Sequence, residues 1–127
     1  MSHIEVENVD ITYDKPDRSG KFVAVEKANL SIAEGTFVTI VGPSGCGKSS
    51  LLMAIDGLVA ITGGSIKVNQ VPVKGPGRDR AMVFQEFSLL PWRTIVENVK
   101  FGLEMHRWKV DNVDQRARRF IKLVGLA

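Results

Sequence analysis

Apolar and polar residues alternate along the first third of the chain. Ile4 and Val6 share one phase, Val9, Ile11 and Tyr13 the other, and Ala28, Leu30 and Ile32 alternate again further on. A period of two predicts half-buried antiparallel strands. The reversal of phase between Val6 and Val9 predicts a bulge near Glu7-Asn8. Asp14-Lys15-Pro16-Asp17-Arg18-Ser19-Gly20-Lys21, polar with Gly and Pro, is a loop between the strands. Then Thr36-Phe37-Val38-Thr39-Ile40-Val41 forms an unbroken β-branched and apolar run after Gly35, the pattern of a strand buried in a parallel sheet. Leu51, Leu52, Ile55 and Leu58 recur at helical spacing, which places Lys48 in the first turn of a helix interrupted by Gly57 near its end.

Thr62-Gly63-Gly64 turns the chain into another alternating segment, Ile66 and Val68. After the loop Gly75-Pro76-Gly77, Ala81-Met82-Val83-Phe84 has the pattern of a second buried strand. From Pro91 onward the period becomes helical. Thr94 and Glu97 make a capping box, in which hydroxyl and carboxylate satisfy backbone donors left open by the first turn, and Val96, Val99 and Leu103 share a face. A further helix starts at Asp111, has Asp114 early and Lys122 late, and stops at Gly125. Its apolar face is Val113, Ala117, Phe120, Ile121 and Val124, and the opposite face, Arg116, Arg118, Arg119 and Lys122, is a solvated surface.

Composition narrows the class. The 127 residues have room for one domain, 44% of them are hydrophobic and 24% charged, and the net charge is +3. These are values of an ordinary globular chain. A domain of this size buries roughly two-thirds of its unfolded surface. The basic residues form no dense run, so no nucleic-acid partner is expected. No apolar run approaches the ~20 residues of a membrane span, and the N-terminus with His3, Glu5 and Glu7 has no signal-peptide pattern. A lone cysteine, Cys46, fits a reducing compartment and acts as a small space-filler. A cytoplasmic protein is expected, able to dock on a membrane protein.

Between the apolar run and the helix lies Gly42-Pro43-Ser44-Gly45-Cys46-Gly47-Lys48-Ser49, which satisfies G-x-x-x-x-G-K-[ST] at every fixed position. Glycines let backbone N–H groups converge on a phosphate, and the helix behind adds about half a unit of positive charge. Lys48 can reach the β and γ phosphates, Ser49 can ligate Mg²⁺, and Ser50 can donate to a nearby phosphate oxygen. The chain is therefore expected to grip ATP with Mg²⁺. Asp56 ends an apolar run that imitates a metal-binding strand, but the same residues must form the helix behind Lys48, so it is a helix-surface residue.

Further along, Val83-Phe84-Gln85-Glu86-Phe87-Ser88-Leu89-Leu90-Pro91-Trp92 resembles the Q-loop region of ATP-binding cassette transporter ATPases, whose phosphate loop is commonly spelled as here. Leu-Leu-Pro-Trp followed by Glu97-Asn98-Val99 is similar to the subgroup energising nitrate, sulfonate and taurine uptake, with importers of thiamine precursors close by. The resemblance covers essentially the whole chain. It implies an α/β fold, a P-loop NTPase core of the RecA type with an N-terminal antiparallel β subdomain and the start of a helical subdomain. The corresponding divisions are residues 1–35, 36–90 and 91–127.

By the same resemblance Gln85 joins Lys48 in the catalytic set, contributes to the Mg²⁺ and attacking-water environment with Ser49, and senses the transmembrane partner. Tyr13 matches the adenine-stacking aromatic; it could equally continue the apolar face of Val9 and Ile11, and both readings stay open. Leu89, Leu90, Pro91 and Trp92 are either the surface that receives a coupling helix or a core cluster closing the helical subdomain. The implied partners are two transmembrane permease subunits, a second ATPase subunit in a homodimer and, indirectly, an extracytoplasmic solute-binding protein. The implied location is peripheral, on the inner face of the plasma membrane.

The resemblance is to the N-terminal half of such a domain. After Gln85 there is no Leu-Ser-Gly-Gly-Gln signature, no Walker B strand and no switch histidine, since His3 and His106 come too early. Hydrolysis by this chain alone is expected to be very slow. The buried strands 38–41 and 82–84 are expected to lack neighbours and to leave a marginal fold prone to association. The alternative function is a fragment that binds ATP without turnover; kinase and GTPase readings find no arginine-rich lid and no Asn-Lys-x-Asp motif.

Overall fold

The computed structural model describes residues 2–105 and 112–126, so His106 and the helix start expected at Asp111 lie outside the described residues. The chain forms two compact units, one up to Met82 and one from Val83.

In the first unit, β1 (Ser2–Asp14) and β2 (Lys21–Ala33) pair antiparallel, and β3 (Gly63–Val68) and β4 (Val71–Pro72) extend the sheet to the order β2-β1-β3-β4. Val6, Val9, Ile11 and Ile66 are buried on the side that receives Ala54 and Ile55 of α1 (Lys48–Asp56). Val6 and Val9 can share that side only if one extra residue intervenes, and it does. Asn8 stands at φ 47°, and the register of β1 shifts here against both neighbours. The bulge expected at Glu7-Asn8 is thus the device that keeps β1 amphipathic along its length. Its amide N–H donates to Asn29 Oδ1 at 3.0 Å, and Asn29 Nδ2 donates back to Asn8 Oδ1 at 3.2 Å. Gly64 crosses here, where a Cβ would stand 2.2 Å from the Asn8 carbonyl oxygen.

The loop expected over Asp14–Lys21 is present as residues 15–20, Asp14 and Lys21 themselves pairing at the strand ends, and Ile66 and Val68 are buried as their alternation predicts. β4 has no counterpart in the sequence reading. It follows a two-residue connection, Asn69-Gln70, with both residues at positive φ (47° and 65°), the backbone that a tight hairpin of this length requires.

Helix α1 starts at Lys48 as expected and stops at Gly57, whose φ of 90° lets its amide and that of Leu58 reach back to Met53 O. Asp56 is helical, as argued from the sequence. Arg80 then secures this end: Nη1 donates to Ile55 O at 2.9 Å and Nη2 to Gly75 O at 3.0 Å. A guanidinium beside a helix C-terminus also meets its negative pole.

Two expected strands are not formed. Residues 36–41 and 81–84 make no ladder with any described residue. Far from buried, Phe37 is 94% exposed, Val41 90% and Val83 96%. An extended backbone is stable only where its N–H and C=O groups are paired. The apolar pattern is that of a central strand, but neighbours make a central strand and none of the described residues supplies them.

In the second unit, α2 (Ile95–Met105) and α3 (Val113–Leu123) lie against each other. The capping box is built as expected: the Thr94 amide donates to Glu97 Oε2 at 2.7 Å and the Glu97 amide to Thr94 Oγ1 at 3.2 Å. Val96 and Leu103 are half-buried on α2, but Val99 is exposed. On α3 the buried residues are Ala117 and Ile121, whereas Phe120 and Val124 of the expected apolar face are exposed. Gly125, at φ 77°, ends the helix as expected. Asp114 joins the helices by accepting from Arg118 Nε at 2.8 Å and standing 3.6 Å from Lys100 Nζ. The Arg118 guanidinium holds its carboxyl below the usual range.

One residue carries more of this unit than its place in the sequence suggests. Asn98 Oδ1 accepts from the Leu90 amide at 2.8 Å, and Asn98 Nδ2 donates to the carbonyls of Leu90, Arg93 and Thr94 at 3.2, 3.2 and 2.8 Å. The side chain thereby ties the turn through Pro91 and Trp92 to α2. Asn98→Ala leaves these groups without their partner and is expected to destabilise the unit by about 1–3 kcal/mol in denaturant melts. The Glu97 carboxyl is held below the ordinary glutamate range, first by the Thr94 amide and next by the Thr94 hydroxyl. A carboxyl with a lowered folded pKa contributes stability above its unfolded pKa and loses it as pH falls through the folded one. Carbon-13 titration should therefore find Glu97 below a free glutamate, and Glu97→Gln should remove part of the acid-side loss of α2; titration at the ordinary value contradicts this.

Candidate functional site

The loop Gly42–Gly47 runs from the unpaired segment into α1, and its shape follows from a few constraints. Gly45 and Gly47 stand at φ 77° and 93°. A Cβ on Gly47 would lie 2.3 Å from Ala24 O and 2.9 Å from Val25 Cγ2, so this glycine seats the loop on β2. The Cys46 amide donates to Pro43 O at 3.4 Å, closing a turn. A Cβ on Gly42 would lie 2.8 Å from Cys46 Sγ, so Cys46 packs against the start of the loop while remaining exposed.

Lys48 folds over the loop. Its Nζ donates to Gly42 O and to Pro43 O, both at 2.7 Å, and lies 3.4 Å from Cys46 Sγ. The lysine thus binds both ends of the loop together and sets a positive charge across it. Behind it, α1 has Gly47 as its N-cap, with no side-chain cap and no acidic residue in its first turn. The amides of a first helical turn have no intrahelical acceptor, and here no carboxylate competes for them. The place has cation, dipole and open donors together, which is what an anion with several oxygens requires.

Ser49, in the first turn, is exposed, and Ser50 is partly buried. The Tyr13 hydroxyl, at the end of β1, donates to Ser50 Oγ at 3.1 Å. Its ring packs in part against the core that Val9 and Ile11 help form. Tyr13 therefore does continue that apolar face, and its polar end reaches the phosphate-loop helix as well. The adjoining loop is held by Asp17, which accepts from the Ser19 hydroxyl at 2.6 Å and the Ser19 amide at 2.9 Å, bonds that keep its carboxyl below the usual range.

Tyr13, Gly42, Pro43, Ser44, Gly45, Cys46, Gly47, Lys48, Ser49 and Ser50 are all in the first unit. Gln85 is in the second, exposed, on the irregular segment before Leu90. Leu89 and Trp92 of the same segment are 65% and 76% exposed, so the core-cluster reading of that stretch fails for both. Among the described residues no three His, Cys, Asp or Glu side chains gather as a metal cage. An exposed serine hydroxyl beside a phosphate-type cradle is nonetheless the donor set that suits Mg²⁺, which binds through few protein oxygens and the phosphates it accompanies. Sequence reasoning missed Arg80 and Asn98. Arg80 acts on carbonyls that folding brings near, one of them 25 residues away, whereas Asn98 acts on groups four to eight residues back, beside the capping box.

Comparison with known proteins agrees with this geometry. The chain matches the ABC transporter family over residues 25–127. An uncharacterized ABC transporter ATP-binding protein of Methanocaldococcus jannaschii is 42% identical over 123 residues, 97% of this chain and 45% of the relative. A taurine import ATP-binding protein of Burkholderia pseudomallei is 41% identical over 127 residues, all of this chain and 48% of the relative. Among solved structures, a dimeric post-hydrolysis state of an ATP-binding cassette bound to ADP and Pi superposes with a TM-score of 0.80 at 30% identity, over 94% of this chain and 56% of that one. The chain thus spans about half the length of the relatives it matches, and its fold is a partial P-loop NTPase fold of the cassette type. A phosphate-type loop with its lysine, seated on an antiparallel sheet and matched over most of the sequence, places this chain in the ABC transporter family.

Proposed function

We propose that this chain binds ATP with Mg²⁺ and is the N-terminal part of the ATPase subunit of an importer for a small solute such as nitrate, sulfonate or taurine. The observation that carries the reading is Lys48, first residue of the uncapped α1, spanning the loop with its Nζ 2.7 Å from Gly42 O and Pro43 O. The backbone of Gly42, Pro43, Ser44, Gly45, Cys46 and Gly47 surrounds the phosphates, Lys48 neutralises them, and Ser50 donates to them. Tyr13 stacks on the adenine. Bound Mg²⁺ would supply charge neutralisation at the phosphates, with Ser49 as its ligand; by the family resemblance Gln85 would contribute to its surroundings and to those of the attacking water in the assembled enzyme. Gln85 and Lys48 are the catalytic residues of the assembled enzyme.

The importer reading is supported by the taurine import relative, which aligns along the whole chain. In this reading residues 1–35 form the antiparallel β part, 36–90 the core up to the Q-loop and 91–127 the start of the helical subdomain. The subunit works as a homodimer on the cytoplasmic face of the membrane, beneath two permease subunits fed by an extracytoplasmic binding protein. In this reading the attachment is through the permeases; no described helix is long and apolar enough to cross a membrane. The exposed Leu89 and Trp92 suit the surface that receives them.

Titration calorimetry with ATP and Mg²⁺ tests the grip. Lys48→Ala should weaken binding at least a hundredfold, because several charge-assisted bonds of about 1.5–3 kcal/mol each depend on that charge. Unchanged affinity overturns the reading. Tyr13→Ala should weaken ATP by about 1–3 kcal/mol if the ring stacks on the base. Equal affinity of parent and variant settles against stacking and leaves the phosphate grip standing.

A further inference from the structure

The contact between Tyr13 and Ser50 joins an aromatic ring at the end of β1 to the helix that begins at the phosphate loop. The two oxygens are 3.1 Å apart in a partly buried setting, with the tyrosine as donor. A serine hydroxyl has one proton and two acceptor positions. Once it accepts from the phenol, its own proton must point elsewhere, and an O–H whose oxygen already accepts a bond is polarised into a better donor. Ser50 is the residue after Ser49, in the first turn of α1.

We infer that the Tyr13 hydroxyl is a positioning group for the phosphate grip: it holds the Ser50 oxygen so that the serine proton is presented to the bound phosphates. The inference rests on the nucleotide-binding reading above and deepens it. The ring and the hydroxyl of Tyr13 then have separate tasks. A ring that only stacks or only packs would work as well in phenylalanine, whereas a positioning hydroxyl would not.

The test separates them with inorganic tripolyphosphate, a probe that has phosphates and no base. Binding of ATP and of tripolyphosphate is measured for the parent, Tyr13→Phe, Ser50→Ala and the double variant. Tyr13→Phe should weaken both ligands by one common factor of about three to ten, the range of a single neutral hydrogen bond. Ser50→Ala should do the same, and the double variant should be no weaker than Ser50→Ala. Tripolyphosphate affinity unchanged in Tyr13→Phe, or losses that multiply in the double variant, overturns the proposal.

A second measurement needs no change at Tyr13. The chain has one tyrosine, so carbon-13 label in its ring reports on this site alone. Saturating tripolyphosphate should shift the ring signals in the parent and leave them in place in Ser50→Ala. Signals that stay still in a parent shown by calorimetry to bind overturn the proposal even if Tyr13→Phe does not fold. Failure of the parent to bind either ligand instead overturns the nucleotide-binding reading, and the positioning role with it.

Discussion

Helix α1 has nine residues, fewer than an isolated helix needs to persist in water. It exists because Ala54 and Ile55 are pressed into the apolar side of the sheet formed by Val6, Val9, Ile11 and Ile66. Everything at the phosphate-type loop follows from that contact. The helix must be held for its first turn to present oriented amides, Gly47 must meet β2 for the loop to be seated, and Lys48 must start the helix to reach back over the loop. At the other end Arg80 binds the Ile55 and Gly75 carbonyls, so the element behind the loop is secured at its tail by a cation and along its length by the sheet.

The sheet can accept the helix only because β1 changes phase. Without the Asn8 bulge, Val6 and Val9 would stand on opposite sides, and half of the core under α1 would face solvent. Asn29 satisfies the bulged amide and Gly64 makes room for its carbonyl, so two residues far away in sequence exist at those positions for the sake of one irregularity. The same logic of local consistency governs the second unit. There Thr94 and Glu97 close the start of α2, and Asn98 gathers the preceding turn onto it, so that Leu89 and Trp92 are exposed on a fixed framework.

Much of this is legible in the sequence alone. The alternation of β1 and β3 reports on a sheet with one covered side, its phase break reports the bulge, and the capping box reports the start of α2. Each is a short-range pattern whose partners lie within a few residues or one strand. The strands expected at 36–41 and 81–84 do not form, for the opposite reason. Their apolar runs record what a strand buried on both sides would need, and hydrogen-bonded neighbours, absent among the described residues, decide whether the strand exists. Phe120 and Val124 carry the same lesson on α3: a periodic apolar face states a capacity for burial, and only Ala117 and Ile121 meet something to be buried against.

By itself the sequence determined the chemistry of the loop, because G-x-x-x-x-G-K-[ST] specifies backbone freedom, a cation and a hydroxyl at fixed offsets along one turn. It also determined the family resemblance, which the comparisons bear out. Only the tertiary structure decided that the Tyr13 hydroxyl meets Ser50, that Arg80 closes the far end of α1, and that Asn98 holds the turn before α2. Those bonds join groups whose separation depends on how the chain turns between them, and a hydrogen bond, effective only over about 3 Å, is not recorded in spacing along a sequence.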